Sequence, residues 1–221
     1  MVKCQFRSPT IIFLLDALRN LQCPLPEPLL GNFVHCLECP KDLPLLGGFR
    51  CNTAPVPPIP HSASDTLGAL TQTQPQPPPS SSCLSSAPEP SPSPSIVLCA
   101  SHVPSYRSVE VTLAHELIHA LDHCRVASVD WSSPTQHACS EVRASSLSGE
   151  CGYLEELGRG HGFTNVGGQH KACVRRRAVL SVAQNPGVEG WSKERIGTDV
   201  VDKVLDRCYL DTFPFMRHPL S

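Results

Sequence analysis

The chain has 221 residues, with 18 Lys and Arg against 20 Asp and Glu and a formal net charge of −2. That balance argues against a nucleic-acid-binding protein, which carries a basic face. No run approaches the ~18 consecutive apolar residues that a bilayer-spanning helix needs. The two compositional excesses are twelve cysteines and 23 prolines.

Near the N-terminus Ile11, Leu14, Leu15 and Leu18 recur at helical spacing, so a short amphipathic helix ending near Cys23 is expected, its stripe packed on a core. A lipid-surface role for the same stripe is the alternative. The sequence shows neither a signal-peptide apolar region with a small-residue cleavage site nor an Arg- and Ser-rich presequence. Cys36 and Cys39 form a CxxC that no second CxxC completes into a zinc ribbon. Gly47-Gly48-Phe49 reads as a turn. Residues 52–95 hold 12 of the 23 prolines, ten serines, and Asp65 and Glu89 as their charged residues. Such a stretch cannot bury enough apolar surface to offset its ordering entropy and reads as a disordered, Pro/Ser-rich insertion. It is either a docking tract or a neutral insertion of the kind surface loops tolerate. It interrupts one domain (residues 1–51 and 96–221) rather than separating two. Ile96–Cys99 reads as an edge strand above a cleft, able to hold an extended peptide by main-chain pairing.

No Gly or Pro occurs from Arg107 to Asp130, so one continuous helix is expected over Ser108–Cys124. Leu113, Leu117 and Leu121, with Ala114 and Ile118, give it a core-facing stripe. His115-Glu116-Leu117-Ile118-His119 lies within it. Residues four apart share a helix face, so both imidazoles can reach one metal ion, and Glu116 hangs over a metal-bound water. Zinc lowers the pKa of such a water toward about 7, and Glu116 is placed to take its proton as it attacks a peptide carbonyl. A pair of solvated or hydrogen-bonded helix histidines is the competing structural reading. His123 lies about 12 Å along the axis from His115, too far to share the ion, and is expected as an orienting or surface residue.

A catalytic zinc normally takes three protein ligands and keeps one position open. A second helix is expected over His137–Leu147. Its Glu141 suits a helix–loop–helix return to the metal, with His137 as the rival ligand or an orienting partner, and Asp122 and Asp130 as further rivals. Downstream, Lys171, Arg175, Arg176 and Arg177 cluster on an expected helix from Gln169 to Gln184. They form either a solvated face or a contact for anionic lipid. Val200–Cys208 reads as a closing amphipathic helix. Tyr153, His161 and His170 are candidates to stabilise an oxyanion. The scatter of cysteines from Cys4 to Cys208 suggests several disulfides in an oxidising compartment, with no pairing readable from spacing.

The stretches His115–Arg125, Val129-Asp130-Trp131, His137–Ala144 and Leu147–Cys151 together resemble a family of mitochondrial intermembrane-space metallopeptidases that mature and help assemble subunit 6 of ATP synthase. Further matches run upstream through Leu14–Ala17, Cys36, Cys39, Gly47–Phe49 and Ile96–Cys99. Downstream they include Cys173–Ala178, Ser192–Glu194, Val201–Val204, Cys208 and Pro214-Phe215. Residues 52–95 depart from the family pattern. The resemblance implies a mainly α, zincin-like metallopeptidase domain (α+β if a small sheet is present), stapled by disulfides, with ten cysteines at family positions and Cys51 and Cys83 outside them. It implies one zinc or other divalent cation per chain, His115 and His119 as ligands, Glu116 as the catalytic residue, and Glu141 as the matching acidic position. It also implies a peripheral place on the intermembrane-space side of the mitochondrial inner membrane, with the precursor of ATP synthase membrane-sector subunit 6 as partner. A non-proteolytic ATP synthase assembly factor with a structural metal site is the alternative.

Overall fold

The computed structural model describes residues 8–23, 25–40, 46–50, 94–103, 105–126, 129–161, 166–185, 188 and 193–219. The expected insertion therefore lies outside the described residues, except for its last two positions. Six helices and a three-stranded sheet are described: α1 (Pro9–Asn20), β1 (Val34–Leu37), β2 (Gly47–Arg50), β3 (Ser95–Cys99), α2 (Tyr106–Arg125), α3 (Pro134–Leu147), α4 (Tyr153–Gly158), α5 (Val166–Val182) and α6 (Lys193–Tyr209). A wide turn at Leu29–Phe33 leads into β1. The fold is mainly α with a small sheet, as the sequence implies.

Apolar periodicity explains how the elements pack. In α1, Ile11, Leu14, Leu15 and Leu18 are all buried, so the stripe faces the core. In α2, Leu113, Ala114, Leu117, Ile118 and Leu121 are buried, and they meet the α1 stripe together with Phe33, Val34, Ile96 and Leu98. A second core joins Ala138 and Val142 of α3 to Val174, Ala178 and Val182 of α5 and to Val201 and Leu205 of α6. Helix α3 packs on α5 and α6 on one side and on α2 on the other. The α2–α3 seam therefore lies where the two cores meet.

Two expectations about strands are corrected. The sheet order is β1–β3–β2, with β1 parallel and β2 antiparallel to β3. Ile96–Cys99 thus belongs to the central strand, and its main-chain groups are taken up by neighbours on both sides; an extended peptide would have to add to β1 or β2 instead. Gly47–Phe49 is part of strand β2, not a turn. Gly47 is needed there because β2 runs so close to α2 that a Cβ would lie 2.9 Å from Thr112 Cγ2.

Helix α2 begins with the Ser105 side chain accepting from Ser108 N at 3.1 Å. It ends at Arg125, one residue beyond the expected Cys124, because Val126 turns extended. That exit lets Trp131 fold back over the helix. Among the described residues, Cys23–Cys124, Cys39–Cys99, Cys139–Cys208 and Cys151–Cys173 are disulfides that tie the elements together. Among the described residues no cysteine is free.

Candidate metal centre

His115 and His119 project from one face of α2 toward α3, as their four-residue spacing dictates. Their Nε2 atoms lie 3.1 Å apart. Glu141 of α3 approaches from the other side, one carboxylate oxygen 3.4 Å from His115 Nε2 and the other 3.4 Å from His119 Nε2. These three residues offer ligand atoms that all lie within 4.8 Å of one another. In a tetrahedral zinc site with bonds of 2.0–2.1 Å, ligand atoms stand about 3.3 Å apart. The spacing and the N,N,O donor set therefore suit such an ion. His115 keeps 16 % of its side chain exposed while Glu141 keeps 6 %, so the cluster is buried beneath but open on the His115 side.

The electrostatics are those of a cation site. Burial opposes a charge on His115, yet Glu150, Glu141 and Glu116 outweigh it and push its pKa up to about 10. Burial also opposes ionisation of Glu141, but the surrounding imidazoles of His119, His115 and His137 hold it well below the usual carboxylate range. Glu150 is lowered in the same way, His115 and Arg177 overcoming burial. Glu116, buried next to both histidines, is raised, chiefly by desolvation. Buried carboxylates around two imidazoles favour a positive charge at their centre.

His137 sits one turn before Glu141 on α3, as expected, and its Nε2 lies 3.0 Å from Glu141 Oε1. Its Nδ1 meets Asn185 Nδ2, which donates to it at 2.9 Å and also donates to the Trp131 carbonyl. That ring is thus turned to orient Glu141. His123 accepts from Trp131 Nε1 at 3.4 Å and stands apart from the cluster. The Trp131 ring packs edge-on to His119, with centroids 5.7 Å apart. Asp122 is directed to Ser140 and Arg143, and Asp130 to the backbone and hydroxyl of Ser132. His170 bonds the Tyr209 hydroxyl through Nδ1 and packs on His218. Tyr153, on α4, and His161, just after it, are exposed.

Sequence reasoning missed Ser140, Arg143, Glu150 and Asn185. Glu150 follows Gly149, whose φ of +89° turns the chain back after α3. Its Oε1 comes to 3.7 Å from His115 Nδ1, and Arg177 pairs with its other oxygen. A carboxylate directly after the Gly of Ser148-Gly149-Glu150-Cys151 was the available signal. The basic cluster also resolves. Lys171 pairs with Asp206, Arg175 with Asp202, Arg176 with Glu156 and Arg177 with Glu150. Each of those cations already has a carboxylate, so the cluster is not an unpaired positive face for lipid.

A family model described as the peptidase M76 family matches residues 69–216, well over half of the chain. The chain belongs to the peptidase M76 family. Relatives include proteins named mitochondrial inner membrane protease ATP23. The one from Mycosarcoma maydis is 48 % identical over 122 residues, covering 55 % of this chain and 54 % of the relative. Those from Malassezia globosa and Yarrowia lipolytica are each 45 % identical over 120 residues, covering 54 % of this chain and 46 % of the relative. The chain spans about half the length of the curated relatives it matches. No solved structure matches. The cluster on α2 and α3 lies within the stretch that the M76 model covers.

Proposed function

We propose that this M76 family member is a zinc metalloendopeptidase acting at the mitochondrial inner membrane, on its intermembrane-space side. One observation carries the reading: two imidazole nitrogens and a carboxylate, from two helices, gathered within 4.8 Å beside a buried glutamate. Residues 1–51 and 96–221 form the one peptidase domain, and residues 52–95 are an insertion into it.

His115, His119 and Glu141 are the residues that would hold the ion, the three protein ligands that a catalytic zinc takes. A zinc ion there would supply Lewis acidity toward a peptide carbonyl and would make a water acidic enough to be deprotonated near pH ~7. Glu116 takes the proton of the attacking water and returns it to the departing amine. In the metal-free chain burial raises its pKa; in catalysis it must both accept and give a proton. His137 orients Glu141, and Trp131 screens His119 from solvent.

The substrate follows from the family resemblance: a peptide bond near the N-terminus of the precursor of ATP synthase membrane-sector subunit 6. No described helix is long and apolar enough to cross a membrane, which fits peripheral attachment. Glu116→Gln tests the reading. It removes the base while leaving the metal ligands in place, and should cut peptide hydrolysis roughly 10²–10⁴-fold. If Glu116→Gln processes the precursor at the wild-type rate, the protein is not this kind of peptidase. Unprocessed precursor with ATP synthase assembly intact would separate the proteolytic role from an assembly role.

A further inference from the structure

Ser140, one residue before Glu141 on α3, has a buried hydroxyl placed between two α2 side chains. Its Oγ lies 2.9 Å from Asp122 Oδ2 and 2.7 Å from His119 Nδ1. Asp122 and His119 are three residues apart on α2, so both reach the same spot on α3. Proton counting then decides the tautomer. A serine has one hydroxyl hydrogen, and an ionised carboxylate only accepts. The hydrogen goes to Asp122, and Ser140 Oγ must accept from His119 Nδ1–H. The lone pair is left on Nε2, the atom that faces His115 and Glu141. The other tautomer would aim an Nε2–H into that cluster and take Ser140 away from Asp122.

Asp122 is itself fixed. Arg143, with no exposed surface, places Nε 3.0 and 3.2 Å from the two Asp122 oxygens, and Arg125 Nε stands 3.0 Å from Oδ1. Arg143 also donates to the carbonyls of Asp211 and Phe213. A continuous polar chain thus runs from the segment after α6, through Arg143, Asp122 and Ser140, to His119.

We propose that Ser140 and Asp122 are positioning residues that keep the His119 proton on Nδ1 and thereby preset Nε2 for a divalent cation. This rests on the metal-site reading above, and the test separates the two. Cobalt(II) is titrated into the full-length, metal-free chain, with affinity read by chelator competition and geometry by the visible absorption band. Wild type is expected to bind one ion. Ser140→Ala should bind it 10–100-fold more weakly with an altered band, the range found when partners of metal-ligating histidines are removed. Ser140→Thr, which keeps the hydroxyl, should return the affinity to within a few-fold of wild type. A purely packing role predicts a lower melting temperature with unchanged cobalt affinity. Ser140→Ala binding as tightly as wild type with the same band overturns the inference but leaves the metal site standing. So does equal weakening in Ser140→Ala and Ser140→Thr. Failure of wild type to bind cobalt overturns the metal-site reading and this inference with it.

Discussion

Arg143→Met isolates what the buried guanidinium does for the fold. Methionine has similar length and no charge, so the main loss is polar. Wild-type Arg143 is fully buried and reaches Asp122, the Asp211 and Phe213 carbonyls and the Asp211 side chain. Removing one partner of a buried ion pair costs about 3–5 kcal/mol, because the remaining charge stays desolvated. Asp122 keeps Arg125 and Ser140, which pulls the cost toward the lower end. The carbonyls after α6 are near the surface and can turn to water, so they add on the order of 1 kcal/mol. A loss of about 3–5 kcal/mol takes a large part of the ~5–15 kcal/mol that holds a typical domain together. At roughly 2–4 °C per kcal/mol for a chain of this size, the midpoint of thermal unfolding should fall by about 6–20 °C. The assay is calorimetry or circular dichroism on the oxidised protein, so that the disulfides do not reshuffle. A fall smaller than about 3 °C would refute the reasoning and mean that the Asp122 cluster carries little of the fold.

Four further outcomes are expected. Glu141→Ala should lose the bound ion whereas His137→Ala should keep it with weaker affinity; retention in Glu141→Ala and loss in His137→Ala would make His137 the third ligand. In the metal-free protein, the His115 pKa is raised from 6.5 to about 10, because nearby carboxylates outweigh burial. Its contribution to stability is therefore complete below about pH 6.5 and lost as pH climbs to about 10, so urea denaturation should show a weaker fold at pH 10 than at pH 7. Zinc binding at pH 7 must expel that proton, and titrations in buffers of different ionisation heat should detect release of about one proton per ion. Replacing Cys139 and Cys208 together by alanine opens a crosslink of sequence separation 69. By loop entropy this should cost up to about 4 kcal/mol of stability, and chemical denaturation showing no change would contradict a stapling role.

The parts of the site that lie on one helix were legible in the sequence; the parts that depend on how helices cross were not. His115 and His119 share a face of α2 by spacing alone, and the leucine stripe beside them fixed which face is buried. Glu141 was reachable as a candidate because α3 follows α2 after a short connection. Ser140 and Arg143 were invisible because their partners lie on other elements. Charged residues are exposed by default, and nothing in the sequence marks Arg143 as buried against Asp122. The strands show the same limit. Ile96–Cys99 was recognisable as a strand from its apolar run, but strand order depends on long-range pairing. Its central place comes from β1 and β2 docking on either side. The extended backbone at Val126, which ends α2, comes with the return of Trp131 onto His119 and His123.

The most direct test of the account is X-ray absorption at the zinc edge on the zinc-loaded full-length chain. It predicts one ion with two imidazole nitrogens at about 2.0–2.1 Å and an oxygen ligand, without sulfur. The described cysteines are all tied up in disulfides, which leaves no thiolate among them to compete. A sulfur shell at about 2.3 Å, or the same spectrum from His119→Ala, would contradict the claim that His115, His119 and Glu141 hold the metal.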